Sequence, residues 1–490
     1  MKNKYLLALS SAILIALAFH PLRLHFLAWF GLVPLLFAVD REKPSATFRY
    51  GLAFGSLFAL FSLFWIIFLQ IPGNIKALMV FGMLLMFLYL GLWWAVGLLI
   101  ANRIGLWFLP FVIAGLEWVK GLGETGFPWL TLGYSQARYP LVIQQASVYG
   151  IYGVSFWLVL LNIVIFKLLR TRASRYLIGL ALVAVLPIGY GLIRMPAESS
   201  TGFTVGIVQP NIDPNLKYTR GKRGESFKRL LDSSRQCDRI ARDSLGVPCD
   251  LILWPESATP VLIKSPNEYR RAVLSLADEL NTPILVGSAI IDYERHEIYN
   301  GAVLIEPDSI LQQEYKKIHL VPFGEHIPFD RHIPLFRKID LGEGDYSPGS
   351  EYTVFKSRGV PFACLICFES IFPELARGFV RRGARLLLNI TNDGWFGRIS
   401  GPQQHNDMAI LRAVENCVPL ARSSNTGVSM VVDAYGRIRA ATPLFTEATV
   451  VRRLPLGTGR TVYGLIGDIL PILGLILSPL LLVRALARRH

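Results

Sequence analysis

Charged side chains are scarce in this sequence. Asp, Glu, Lys and Arg make up 17% of 490 residues, against about 25% in soluble domains. Hydrophobic residues make up 52%, which excludes an ordinary soluble protein. Disorder is excluded as well, because 29 Phe, 10 Trp and 18 Tyr supply ample material for cores. Cysteine is sparse too. Five in a chain of this length form no disulfide framework, although Cys237 and Cys249 could still pair. Repeats, low-complexity tracts and long basic tails are missing. The net charge of +15 therefore does not mark a nucleic-acid binder, because its Lys and Arg sit in short links between apolar runs.

Long apolar runs are what the chain does have. They cover residues 5–19, 26–39, 51–71, 77–100, 106–119, 148–166, 176–193 and 463–483. Crossing the hydrocarbon takes ~20 residues, which the third, fourth, sixth and seventh runs satisfy. The first two are short, part at Pro21 and read as a helical hairpin. Eight transmembrane helices are expected: seven in a membrane domain at 1–198, and the eighth with a cytoplasmic tail at 456–490. Lys2, Lys4, Arg41, Lys43, Arg49, Arg103, Lys167, Arg170, Arg172, Arg175, Arg484, Arg488 and Arg489 fall on one side. Only Arg23, Lys76, Lys120, Arg138 and Arg194 fall on the other. The bias puts both termini in the cytoplasm and the segment before the last run outside. Lys2 and Lys4 before an apolar stretch also fit a signal peptide, whose removal would leave that placement unchanged.

Residues 199–455 differ in character. Short β-rich runs alternate with helical patterns at 226–244, 268–280, 373–382 and 403–418, which implies an α/β domain with both sheet faces covered. Three segments there end a β-like run in a reactive residue. Trp254-Pro255-Glu256 delivers a carboxylate, the stretch through Lys317 and Glu325 an ammonium and a second carboxylate, and Cys367-Phe368-Glu369 a thiol and a third. A thiol needs a base, and a buried carboxylate serves. A fixed ammonium stabilises thiolate and oxyanion charge. Glu, Lys and Cys thus suit nucleophilic acyl transfer, although spacing alone cannot establish the set. Cys364 faces away from Cys367 by strand alternation. Lys316 points away from Lys317 and is expected in solvent. His319 and His405 lack a ligand constellation, so no metal site is expected. Arg412 and Glu415 read as a structural ion pair. Asp468 would be solvated near the outer end of the last helix, or cap the site.

These segments resemble the Glu–Lys–Cys triad of the nitrilase superfamily. Val208-Gln209-Pro210-Asn211 and Asn389-Ile390-Thr391-Asn392-Asp393-Gly394-Trp395-Phe396-Gly397 also fit. A nitrilase-like domain before the last of eight membrane helices is similar to one branch, the bacterial apolipoprotein N-acyltransferases. The run His319-Leu320-Val321-Pro322-Phe323-Gly324-Glu325 and the loop Gly126-Phe127-Pro128-Trp129 carry that likeness. The resemblance implies an αββα sandwich facing the periplasm from the bacterial inner membrane. It implies transfer of a fatty acyl chain from phospholipid to the amine of a diacylglyceryl-cysteine apolipoprotein, through a Cys thioester, the last step of lipoprotein maturation. Glu256 would be base, Cys367 nucleophile and Lys317 electrostatic partner, with the Phe368 N–H completing the oxyanion hole. Glu325 and Glu369 would orient the site. Tyr218, where many members have Trp, and Trp395 and Phe396 would meet substrate lipid. Neither cofactor nor metal nor nucleic acid is implied, and a monomer is expected. The alternative is a membrane-anchored amidase in which water replaces the amine.

Overall fold

The computed structural model describes residues 2–69, 73–196, 202–213, 223–259, 261–308, 313–329 and 346–487. Tyr218 lies outside them, and Trp395 is described only in its backbone.

The apolar runs become helices because in lipid every backbone N–H and C=O must be satisfied internally. Helices α1 (Lys2–Ala18), α2 (Val33–Val39), α3 (Pro44–Leu63), α4 (Gly73–Ile104), α5 (Leu109–Lys120), the single turn α6 (Pro140–Ile143), α7 (Ala146–Thr171) and α8 (Arg175–Arg194) build the first block. Among the described residues, five stretches are long and apolar enough to cross a membrane: Pro44–Phe68, Met79–Ile104, Ala146–Thr171, Arg175–Arg194 and Ile469–Ala487. The remaining expected runs form shorter helices. Runs 5–19 and 26–39 form shorter apolar helices, Asn3–Ala18 and His25–Val39, and run 106–119 gives only the 12-residue α5, all under the ~20 residues of a full crossing. Ala146–Thr171 is 72% buried and runs through the middle of the block, whereas Arg175–Arg194 and Ile469–Ala487 are 11% and 17% buried. Leu177, Ile178, Leu182, Val185 and Ile193 are exposed on α8, a belt suited to lipid contact.

The second block is a two-sheet sandwich. One sheet has the order β12-β1-β2-β3-β4-β5, from β1 (Phe203–Gln209), β2 (Leu251–Leu253), β3 (Ile284–Asp292), β4 (Glu297–Ile305), β5 (Gln313–Lys316) and β12 (Ala448–Leu454). The other has the order β11-β10-β9-β8-β7-β6, from β6 (Phe355–Ser357), β7 (Val360–Ile366), β8 (Leu387–Thr391), β9 (Leu420–Ser424), β10 (Met430–Val432) and β11 (Ile438–Ala441). β1, β2 and β3 are parallel neighbours, as are β7, β8 and β9. Strand alternation separates two cores. Val205, Ile207, Leu251 and Leu253 face the core between the sheets, while Val208, Ile252 and Trp254 face the outer helices. Helices α9 (Arg223–Leu245) and α10 (Glu268–Leu280) cover that outer face, and α11 (Pro373–Arg381) and α12 (Gly401–Asn416) cover the second sheet. Cys237 and Cys249 are free thiols against Gly206, whose Cα lies too close to both for a side chain.

After the sandwich, the short α13 (Val462–Ile466) leads into α14 (Ile469–Ala487), which returns to the first block. A Cβ on Gly474 would lie 2.1 Å from Phe111 O, so α14 and α5 meet backbone to backbone, as small residues allow between membrane helices. Ion pairs mark the two ends of the block. Lys4–Glu42 (2.6 Å) and Arg170–Asp40 (3.0 Å) gather the α1 start, the α2–α3 link and the α7 end. At the opposite end Asp407 of α12 pairs with Arg138 (2.5 Å) and Arg23 (3.4 Å). One apolar cluster joins the block helices to the second sheet and α12.

Candidate active site

Three reactive side chains meet beyond the carboxyl ends of strands from the two sheets. Glu256 lies just beyond β2, Lys317 directly after β5, and Cys367 directly after β7. Lys317 is fully buried, with Nζ 2.8 Å from Glu325 Oε1 and 3.6 Å from Glu256 Oε1. Asn300 of β4 donates through Nδ2 to both carboxylates, at 2.7 Å to Glu256 and 2.8 Å to Glu325. The other oxygens are also fixed: Asn392 N donates to Glu256 Oε2 (2.9 Å) and Val321 N to Glu325 Oε2 (2.8 Å). Burial raises the Glu256 pKa above the ordinary value and Glu325 adds to this, while Lys317 opposes both. Burial works against the Lys317 charge, but Glu325 and Glu256 outweigh it, so the ammonium is held. The result is a proton-accepting carboxylate beside a permanent cation.

Cys367 occupies a tight turn with φ 51°, a left-handed conformation that non-glycine residues adopt only at a cost. Burial first, and Glu256 second, push the thiol well above its ordinary value, with Lys317 and a Thr391 hydroxyl hydrogen bond opposing. Burial thus favours the protonated thiol. Glu369 stands apart from that chemistry. Its Oε1 accepts from Tyr315 OH (2.6 Å), Ile318 N (2.7 Å) and His319 N (3.2 Å), and its Oε2 from Ile366 N (2.7 Å). It ties the segment bearing Lys317 to the strand bearing Cys367. Phe368 stacks on Phe127 of the membrane block, with ring centroids 6.4 Å apart. Phe396 sits against Trp65 (5.2 Å) and Trp129 (6.1 Å), so it meets aromatics of the block. Lys316 faces away to Asp292 (3.6 Å) and the Tyr299 ring. Arg412 and Glu415 are a fully buried pair at 2.9 Å. Asp468, half-buried before α14, has its Oδ1 buried without a hydrogen-bond partner.

Sequence reasoning missed a network behind the thiol. His405 of α12, read as isolated, meets Asp393 Oδ1 through Nδ1 (3.1 Å) and reaches Cys367 O through Nε2 (3.0 Å). Arg422 of β9 donates to Asp393 Oδ2 (2.7 Å) and lies 3.0 Å from His405 Nδ1. Burial and Arg422 lower the His405 pKa, and Arg422 and His405 outweigh burial to hold Asp393 well below the usual carboxylate range. Among the described residues, Cys367, Asp393 and His405 form the group whose ligand atoms, within 4.8 Å of one another, could bracket a metal. Each imidazole nitrogen and each Asp393 oxygen is instead engaged by protein, and Arg422 supplies the cation. Asn300, His405 and Arg422 carried no signal because their partners are remote in sequence; Asp393 lay inside a quoted motif without a role.

Two family models match the chain: the apolipoprotein N-acyltransferase N-terminal domain over residues 11–164, and carbon-nitrogen hydrolase over residues 204–463. The apolipoprotein N-acyltransferase of Geobacter metallireducens is 38% identical over 96% of this chain and 92% of its own. That of Chlorobaculum tepidum is 32% identical over 100% and 98%. Among solved structures, a carbon-nitrogen hydrolase from Helicobacter pylori aligns with 55% of this chain and 94% of its own, at 16% identity and a TM-score of 0.41. Matches to both halves in one chain, with relatives matched almost end to end, fix the assignment: the chain belongs to the apolipoprotein N-acyltransferase family.

Proposed function

We propose that Cys367 carries the acyl group through a thioester, with Glu256 as base and Lys317 as fixed cation. Lipoprotein N-acylation is the activity of the family. The observation that carries the residue assignment is the buried Lys317 ammonium between Glu256 and Glu325, beside a thiol whose ionisation is suppressed. Glu256 takes the Sγ proton as sulfur attacks the donor ester carbonyl. Lys317 and the Phe368 N–H stabilise the oxyanion. Collapse breaks the ester C–O bond, and Glu256 returns the proton to the departing lysophospholipid alkoxide. The amine of a diacylglyceryl-cysteine apolipoprotein then attacks the thioester carbonyl, Glu256 accepts its proton, and the thiol is restored.

The donor is a phospholipid whose chains stay in the membrane while its ester reaches Cys367. The Phe127, Trp129, Phe368 and Phe396 rings, continuous between the membrane block and the nucleophile, keep water from the thioester. Tyr218 and Trp395 are proposed to join them at the substrate. The protein resides in the bacterial inner membrane, with residues 199–455 in the periplasm as the catalytic domain. The Lys4 and Arg170 end of the block, opposite the sandwich, supports this orientation. Incubation with labelled phospholipid tests the nucleophile: Cys367→Ala should lose the hydroxylamine-sensitive adduct and turnover, and Cys364→Ala should keep both. An adduct on Cys367→Ala would refute the assignment.

A further inference from the structure

Helix α12 faces two partners through adjacent side chains. Gln404 faces the membrane block. Its buried Oε1 accepts from Trp65 Nε1 (3.1 Å) and Trp129 Nε1 (2.9 Å), and its Nε2 donates to Ser62 O (3.0 Å) and His20 O (3.2 Å). The four bonds use the full capacity of an amide and draw together three separate segments of the block. His405 faces the nucleophile. Cys367 O can only accept, so Nε2 is the donor at 3.0 Å, with Ser370 Oγ at 3.0 Å from the same nitrogen. Nδ1 then accepts from Arg422 (3.0 Å), which Asp393 Oδ2 holds in place (2.7 Å), and Trp129 lies against the ring with centroids 5.6 Å apart. The bond holds the carbonyl of the one residue in the turn with φ 51°, a conformation that needs outside support.

We propose that Gln404 and His405 are positioning residues that together transmit the placement of the membrane block to the Cys367 turn. The thiol is then aimed only when the sandwich is seated on the block, where its lipid substrates are. The proposal rests on the reading of Cys367 as nucleophile. Proton transfer to His405 is not part of it, because Nε2 engages the peptide carbonyl and the second nitrogen already accepts from Arg422.

Full-length protein in detergent would be tested by steady-state kinetics and by iodoacetamide labelling of Cys367, read at that residue by mass spectrometry. Displacing a reactive atom by about 1 Å costs on the order of 10²-fold in rate. His405→Leu should lower kcat and labelling together by about that factor, with the donor KM and the shape of the pH profile unchanged. Gln404→Leu should do the same, and the double variant should be no slower than either single one. Glutamine places its amide where Nε2 lies and asparagine where Nδ1 lies. His405→Gln should therefore recover most activity and His405→Asn should not, which decides the matter even where the leucine variant fails to accumulate. Equal activity of the glutamine and asparagine variants, independent multiplying effects of Gln404→Leu and His405→Leu, or a displaced pH profile would each overturn the proposal. Turnover by Cys367→Ala would instead overturn the nucleophile assignment beneath it.

Discussion

At the residue scale, three groups share one electrostatic problem. A neutral thiol, a carboxyl with a raised pKa and a buried ammonium are stable together because the proton sits where each needs it. As the proposed base, Glu256 has to be ionised to accept the Cys367 proton, so with its pKa raised by burial activity should fall as pH drops through that value. Glu256→Gln should abolish this acid limb and reduce kcat by about 10²–10⁴, the usual worth of a positioned base. An unchanged acid limb in the variant would reassign it to another group. The sequence singled out Glu256, Lys317 and Cys367 because each ends a β-like run and the set resembles the nitrilase triad. Asn300 was not, since an Asn inside a strand gives no hint that its amide will bridge two carboxylates.

At the element scale, α12 and the start of the strand-to-helix turn at Cys367 are locked by buried charge. A helical pattern predicted a helix at 403–418, close to the observed Gly401–Asn416. The same pattern could not say that Gln404, His405, Asp407 and Arg412 each face something different, because those partners come from distant segments. Asp393 has its pKa lowered on folding, so its contribution to stability is present above the ordinary aspartate range and lost as pH falls below it. Asp393→Asn leaves the buried Arg422 charge uncompensated, which costs about 3–5 kcal/mol. Thermal melts of wild type and variant should differ widely at pH 7 and converge below about pH 4. A gap independent of pH would rule out the Asp393–Arg422 pair as its source.

At the scale of the whole molecule, hydropathy located the apolar helices, and run length separated five long ones from three shorter ones. The first two runs fold as a short hairpin, and the fifth is held short between Gly105 and Gly121. The proposed placement of residues 199–455 outside rests on the charge distribution along the block. A fusion of alkaline phosphatase after Arg194 should be active and one after Arg170 inactive; the reverse pattern would invert the topology. The sandwich and the block share one apolar cluster, which suits a reaction whose donor, acceptor and thioester all stand at the membrane surface. The central claim, a thioester that waits for an amine, is tested most directly by supplying purified protein with labelled phospholipid and no acceptor. Lysophospholipid should appear in a single burst equal to the amount of enzyme and then nearly stop, and a diacylglyceryl peptide with a free amine should restart it. Continuous release of free fatty acid without acceptor would contradict the account and make water the second substrate.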